Sequence, residues 1–144
     1  QAKLLYKGGE GRLGTDDSLF CNLFAKSSPE HLAEVSKAYL KASKKGHTLE
    51  QAFITETSGS YQRGLLALML PRPKYVAHRI HRAIARAGTN DSLLVRLFAM
   101  TEKQVLCEAA KMYQDEYHEE MLKAVCGDTS GDYKHLLARV LKPC

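Results

Sequence analysis

The chain has 144 residues, 44% of them hydrophobic and 26% charged, with a formal net charge of +5 and a pI near 9.0. Such a length buries a real core, as one ordinary domain or two small repeats, and the composition excludes a disordered chain. The basic balance favours acidic partners (anionic lipid, nucleic acid or an acidic protein), but Lys and Arg are spread along the whole chain and choose only weakly among them.

The opening "QAKLLYKGGE" reads as a short helix, too brief and polar for a signal peptide. It starts without a capping residue and is shorter than its counterpart ahead of the second glycine turn. A fragment of a longer repeat array is therefore expected. "GTDDSLFCNLFA" at 14–25 begins the next helix, with Thr15 expected as N-cap and Asp16 and Asp17 at the positive end of the helix dipole. Leu19, Leu23 and Phe24 form its apolar stripe, and Leu93, Leu97 and Phe98 repeat it further along the chain. Leu32, Val35 and Tyr39 mark a longer helix, and Leu49, Phe53 and Ile54 a short one. "ETSGSYQRGLLALML" at 56–70 supplies the last, with Leu65, Leu66, Leu68 and Met69 expected inward.

After the separator "PRP" at 71–73 and the helix "KYVAHRIHRAIAR", the same order begins again. "GTNDSLLVRLFA" at 88–99 stands 74 residues after its twin, and "DTSGDYKHLLARVL" at 128–141 stands 72 after its own. Thr89 is expected to cap like Thr15, and Thr129 with Asp132 to form a capping box. Two matched blocks in one order mean a duplicated unit of about 72 residues. No window keeps a strand period, so the fold is expected to be all-α, five helices per unit, divided at 1–71 and 72–144.

No apolar run reaches the length that spans a bilayer. Cys21, Cys107, Cys126 and Cys144 show no CxxC pairing, which favours free thiols in a reducing compartment. His78 and His81 stand three apart, with no cysteine or carboxylate to complete a metal set, so a solvated helix face is expected there. Arg79, Arg82 and Arg86 lack interleaved aromatics, so no nucleic acid partner is expected. Without a nucleophile elbow, P-loop or H-E-x-x-H motif, catalysis is not expected either.

The chemistry lies in a pairing. Gly14 precedes Glu56 by 42 positions and Gly88 precedes Asp128 by 40, and each acid stands just before a T-S-G turn. An exposed loop offering main-chain carbonyls, approached by one carboxylate, suits a hard cation such as Ca²⁺. Glycines permit the positive φ values that turn successive carbonyls toward one point.

A glycine loop ending in G-T followed about 40 residues later by [DE]-T-S-G, in "GEGRLGTDD" with "ETSGSY" and "ARAGTND" with "DTSGDY", resembles the paired G-x-G-T and [DE]-T-S-G pattern of the annexins across essentially the whole chain. The order of the blocks is most like the third and fourth repeats of a four-repeat core. The resemblance implies two five-helix repeats in a right-handed superhelical arrangement. It also implies Ca²⁺-dependent attachment to anionic phospholipid at the membrane surface, in the cytoplasm, with the ion bridging protein oxygens and lipid phosphate. Carried over, the first site takes the carbonyls of Gly9, Arg12 and Gly14 and the carboxylate of Glu56, with Leu13 at the loop tip facing the membrane. The second takes the carbonyls of Ile84, Arg86 and Gly88 and the carboxylate of Asp128. Here the chain departs from the family, because Arg86 stands where glycine is usual and opposes the backbone conformation by about 1–2 kcal/mol. That departure weakens the expectation for the second site. It also favours the alternative, a Ca²⁺-independent helical scaffold that binds protein or cytoskeletal partners.

Overall fold

The computed structural model describes residues 1–9, 17–85, 88–142 and 144. All secondary structure in them is helical, ten helices in two compact units, Gln1–Leu70 and Pro71–Cys144.

The first unit comprises α1 (Ala2–Gly8), α2 (Asp17–Lys26), α3 (Pro29–Ala42), α4 (Leu49–Glu56) and α5 (Gly59–Met69). Local chemistry sets the ends of these helices. The Ser28 side chain accepts from the His31 amide with Pro29 at the first helical position, and Thr48 and Gln51 cap each other's backbone reciprocally. Gly46, at φ +68, carries the turn between α3 and α4. The centre of the unit is aromatic: Phe53 is 1% exposed, with Phe20 edge-on at 5.1 Å and Phe24 tilted at 5.4 Å. α1 lies on α3, bringing Tyr6 within 6.3 Å of Tyr39. The buried stripe of α2 is Phe20 and Phe24, while Leu19 and Leu23 are only half-buried. The aromatic centre draws the larger rings inward and turns the helix by one position from the expected stripe. Leu68, expected inward, is 60% exposed, because Leu65 and Leu66 already fill the inner face of α5.

The second unit comprises α6 (Arg72–Ile84), α7 (Asp91–Met100), α8 (Lys103–Tyr117), α9 (Met121–Asp128) and α10 (Gly131–Leu141). α6 lies along α8, and Ile80, Leu94, Leu106, Ala109, Val125 and Leu137 close the core between the helices. Leu94 rather than Leu93 is the buried member of the α7 stripe, the same one-position turn as in α2. α8 ends at His118 in the left-handed conformation, φ 57.

The cysteines correct the sequence reading. Cys107 on α8 and Cys144 beyond α10 form a disulfide, while Cys21 and Cys126 are free. α10 packs on α8, which brings together two residues whose spacing in sequence carries no sign of pairing. The bond removes the thiol-based ground for expecting a reducing compartment. It closes a loop of 37 residues. Reducing it is expected to lower the stability of this unit by about 2–4 kcal/mol, measured as the denaturation midpoint with and without a dithiol reductant; an unchanged midpoint would contradict the expectation.

No helix among the described residues is long and apolar enough to cross a membrane.

Candidate metal site

In the first unit the structure places two of the expected site residues. Gly9 follows α1, its amide donating to the Leu5 carbonyl at 2.9 Å. Its φ is −116, so glycine is needed here for space rather than for a left-handed turn. An added Cβ would stand 3.2 Å from Cζ of Phe20. Arg12, Leu13 and Gly14 lie outside the described residues, as does Thr15. Glu56 is the last residue of α4, with one carboxylate oxygen 3.9 Å from the Lys45 ammonium.

The end of α4 is held by a residue that periodicity missed. Gln62 is 6% exposed, and its amide nitrogen donates to the carbonyls of Thr57 at 2.6 Å and Ile54 at 3.1 Å, with a longer contact to Phe53 at 3.5 Å. The last carbonyls of a helix have no intrahelical partner, so one buried amide satisfies several and fixes where Glu56 leaves the helix. The signal was present: Gln62 stands three and four positions ahead of Leu65 and Leu66, on the same inner face.

In the second unit, Ile84, Gly88 and Asp128 are described, and Arg86 is not. Ile84 ends α6 and Asp128 ends α9; both line one open cleft of about 420 Å³ with His81, Tyr113, Glu119 and Lys123. Gly88 has φ +90 with open space around it, so its requirement is conformational. The next two residues anchor the loop. The Asn90 amide donates to the Ala83 carbonyl at 2.8 Å, and the Asn90 side chain accepts from the Leu93 amide at 3.1 Å. Asn90 is thus the cap of α7. Thr89, expected in that role, instead donates its hydroxyl to the Asp128 main-chain oxygen at 2.8 Å and to the carboxylate at 3.3 Å. One hydroxyl therefore joins the glycine loop to the acid 39 residues later.

The expected capping box at Thr129 is likewise displaced. Ser130 is the N-cap of α10, and Thr129 closes the preceding helix by donating to the Val125 carbonyl at 2.7 Å. Thr57 does the same to Phe53 in the first unit, at 2.6 Å. A threonine just past a short helix has a helix-end carbonyl one turn back within reach of its hydroxyl.

The histidines correct another expectation. His78 and His81 are half-buried rather than solvated. The His81 ring stacks on Tyr117 at 3.8 Å, one His81 nitrogen stands 3.3 Å from the Tyr113 hydroxyl, and His78 stands 3.4 Å from that of Tyr117. Burial first, then the charges of Arg82, Arg79 and His81, push His78 down to about 4, so it is neutral at physiological pH. Burial raises the Tyr113 phenol to about 12. The cluster is a packed wall beside the cleft.

Among the described residues no group of three His, Cys, Asp or Glu side chains could hold a metal. Among the described residues, Asp128 is therefore a lone carboxylate beside the Gly88 loop, where main-chain carbonyls are the other oxygen donors. One carboxylate with carbonyls, on a loop that turns through a left-handed glycine, is an all-oxygen set of the kind Ca²⁺ accepts and Zn²⁺ does not favour. The residues present fit a hard divalent cation.

A family model described as Annexin matches residues 1–68 and 75–140. Annexin A7 of Homo sapiens is 35% identical over 143 residues, covering 97% of this chain and 29% of that protein. The structure of annexin A8 aligns with a TM-score of 0.80 at 27% identity, over 98% of this chain and 43% of that one. A calcium-bound structure of annexin (Sm)1 aligns with a TM-score of 0.63 at 29% identity, over 96% of this chain and 39% of that one. The chain thus spans less than half the length of these relatives. With the repeat and the helix order in agreement, this chain belongs to the annexin family.

Proposed function

We propose that this chain binds anionic phospholipid surfaces peripherally and in a Ca²⁺-dependent way, as a binding protein rather than an enzyme. The observation that carries the reading is the meeting of the Gly88 loop with Asp128, two elements 40 residues apart, through Thr89. Family membership supports it, and so does the likeness to a calcium-bound annexin structure.

At the second site the carbonyls of Ile84, Arg86 and Gly88 and the carboxylate of Asp128 would hold the ion. At the first, those of Gly9, Arg12 and Gly14 would do so with the carboxylate of Glu56. Bound there, Ca²⁺ supplies positive charge with coordination positions left for a lipid phosphate. The protein contributes one anionic ligand per site, too little for tight binding in solution, because affinity depends on ligand charge count. Lipid and ion then reinforce each other by linkage. Lys and Arg side chains near an anionic surface add about 1 kcal/mol each of long-range attraction. Leu13 would insert at the interface, and two sites on one chain add avidity.

Co-sedimentation with vesicles of phosphatidylserine and phosphatidylcholine tests this, in Ca²⁺ and in chelator. Pelleting in Ca²⁺ alone is the expected result. Equal pelleting in both would overturn the ion-bridged reading, and no pelleting in either would leave the Ca²⁺-independent protein scaffold in its place.

A further inference from the structure

We propose that Thr89 is a positioning residue of the second site, holding the Asp128 carboxylate against the Gly88 loop before any ion arrives; this rests on the Ca²⁺ reading above. Thr89 has no duty at the helix start, because the Asn90 side chain caps α7. Its hydroxyl reaches instead to α9, donating to the Asp128 main-chain oxygen at 2.8 Å and, more weakly, to the carboxylate at 3.3 Å. A hydroxyl has one proton, so these are two branches of a three-centre bond. The short branch pins the end of α9 to the loop. The long branch orients the carboxylate while leaving most of its lone pairs open.

The need for such a device follows from exposure. Asp128 lies at a solvent-exposed helix end, where an unheld carboxylate samples several rotamers. Gly88 immediately precedes Thr89, so a tether at Thr89 fixes a loop carbonyl and the acid together. Ordering both in advance removes part of the cost of assembling a site from two helices' ends. The loop is already anchored on its other side by the bond from the Asn90 amide to the Ala83 carbonyl.

The test uses the whole chain with Glu56→Gln, which silences the first site, and adds Thr89→Val or Thr89→Ser. The Ca²⁺ concentration for half-maximal binding to phosphatidylserine–phosphatidylcholine vesicles is measured, with thermal unfolding in chelator alongside. Thr89→Val is expected to raise that concentration about three- to tenfold, the loss of one hydrogen bond. Thr89→Ser, which keeps the donor, is expected to stay within about twofold. Equal values for Thr89→Val and the Glu56→Gln parent would overturn the proposal while leaving the Ca²⁺ reading intact. So would equal losses in both Thr89 variants matched by lower unfolding temperatures, since that is a purely structural role. Failure of the parent itself to respond to Ca²⁺ would instead overturn the second site, and the proposal with it.

Discussion

Replacing Glu56 by glutamine is expected to raise the Ca²⁺ requirement of the first site by at least the roughly 10–100-fold that losing a mere outer-shell partner costs at a metal centre. Glutamine keeps the shape and one oxygen but removes the only anionic ligand the site is expected to have. The position of the side chain should not change, because Gln62 and the Thr57 hydroxyl hold the end of α4 independently of residue 56. The ion pair with Lys45 is lost, but at 3.9 Å and with the lysine 55% exposed it contributes little to stability. The discriminating measurement is a Ca²⁺ titration with phosphatidylserine-containing vesicles in an Asp128→Asn background, so that only the first site reports. An unchanged midpoint would remove Glu56 from the site. A lowered unfolding temperature would show that the substitution acts on the fold.

The second large effect concerns stability. Phe53→Ala is expected to destabilise the first unit by about 3–5 kcal/mol, measured by denaturant unfolding. Phe53 is 1% exposed and is the ring on which both Phe20 and Phe24 pack. Its removal leaves a cavity at the centre of the unit and forfeits two aromatic pairs worth about 0.5–1.5 kcal/mol each beyond their area. For a small domain that is a large fraction of the total stability. The change should also reach the loop, since Phe20 forms the wall against which Gly9 packs. Ca²⁺ affinity of the first site is therefore expected to fall with stability, whereas in Glu56→Gln affinity falls alone. A loss below about 1 kcal/mol would show that the unit repacks around the cavity.

The contrast between these substitutions follows the division between what could and could not be read along the chain. Ten helices in two copies of one order were legible, because apolar residues at helical spacing recur with the same turn residues between them. Leu32, Val35 and Tyr39 were placed on a buried face by that rule, and all three are buried. The rule is blunt to within one position: it favoured Leu19 and Leu93 where Phe20 and Leu94 are inside. It was blunter at helix ends. Thr89 and Asn90 are both good caps by composition, and Asn90 takes the role because the distant Asp128 engages the Thr89 hydroxyl. At α10 the Thr129 hydroxyl bonds back to Val125, and Ser130 holds the N-cap position without a side-chain bond.

The sequence by itself determined the helical repeat and its family, since each depends on residues near one another or on a pattern that occurs twice. Only the tertiary structure decided who meets whom. Cys107 with Cys144, His81 with Tyr117 and Thr89 with Asp128 join residues 36 to 39 apart. Helical periodicity tells which face of a helix is apolar, but not which helix covers it or where along its length. The partner of a polar side chain at the edge of such a face is fixed by packing alone.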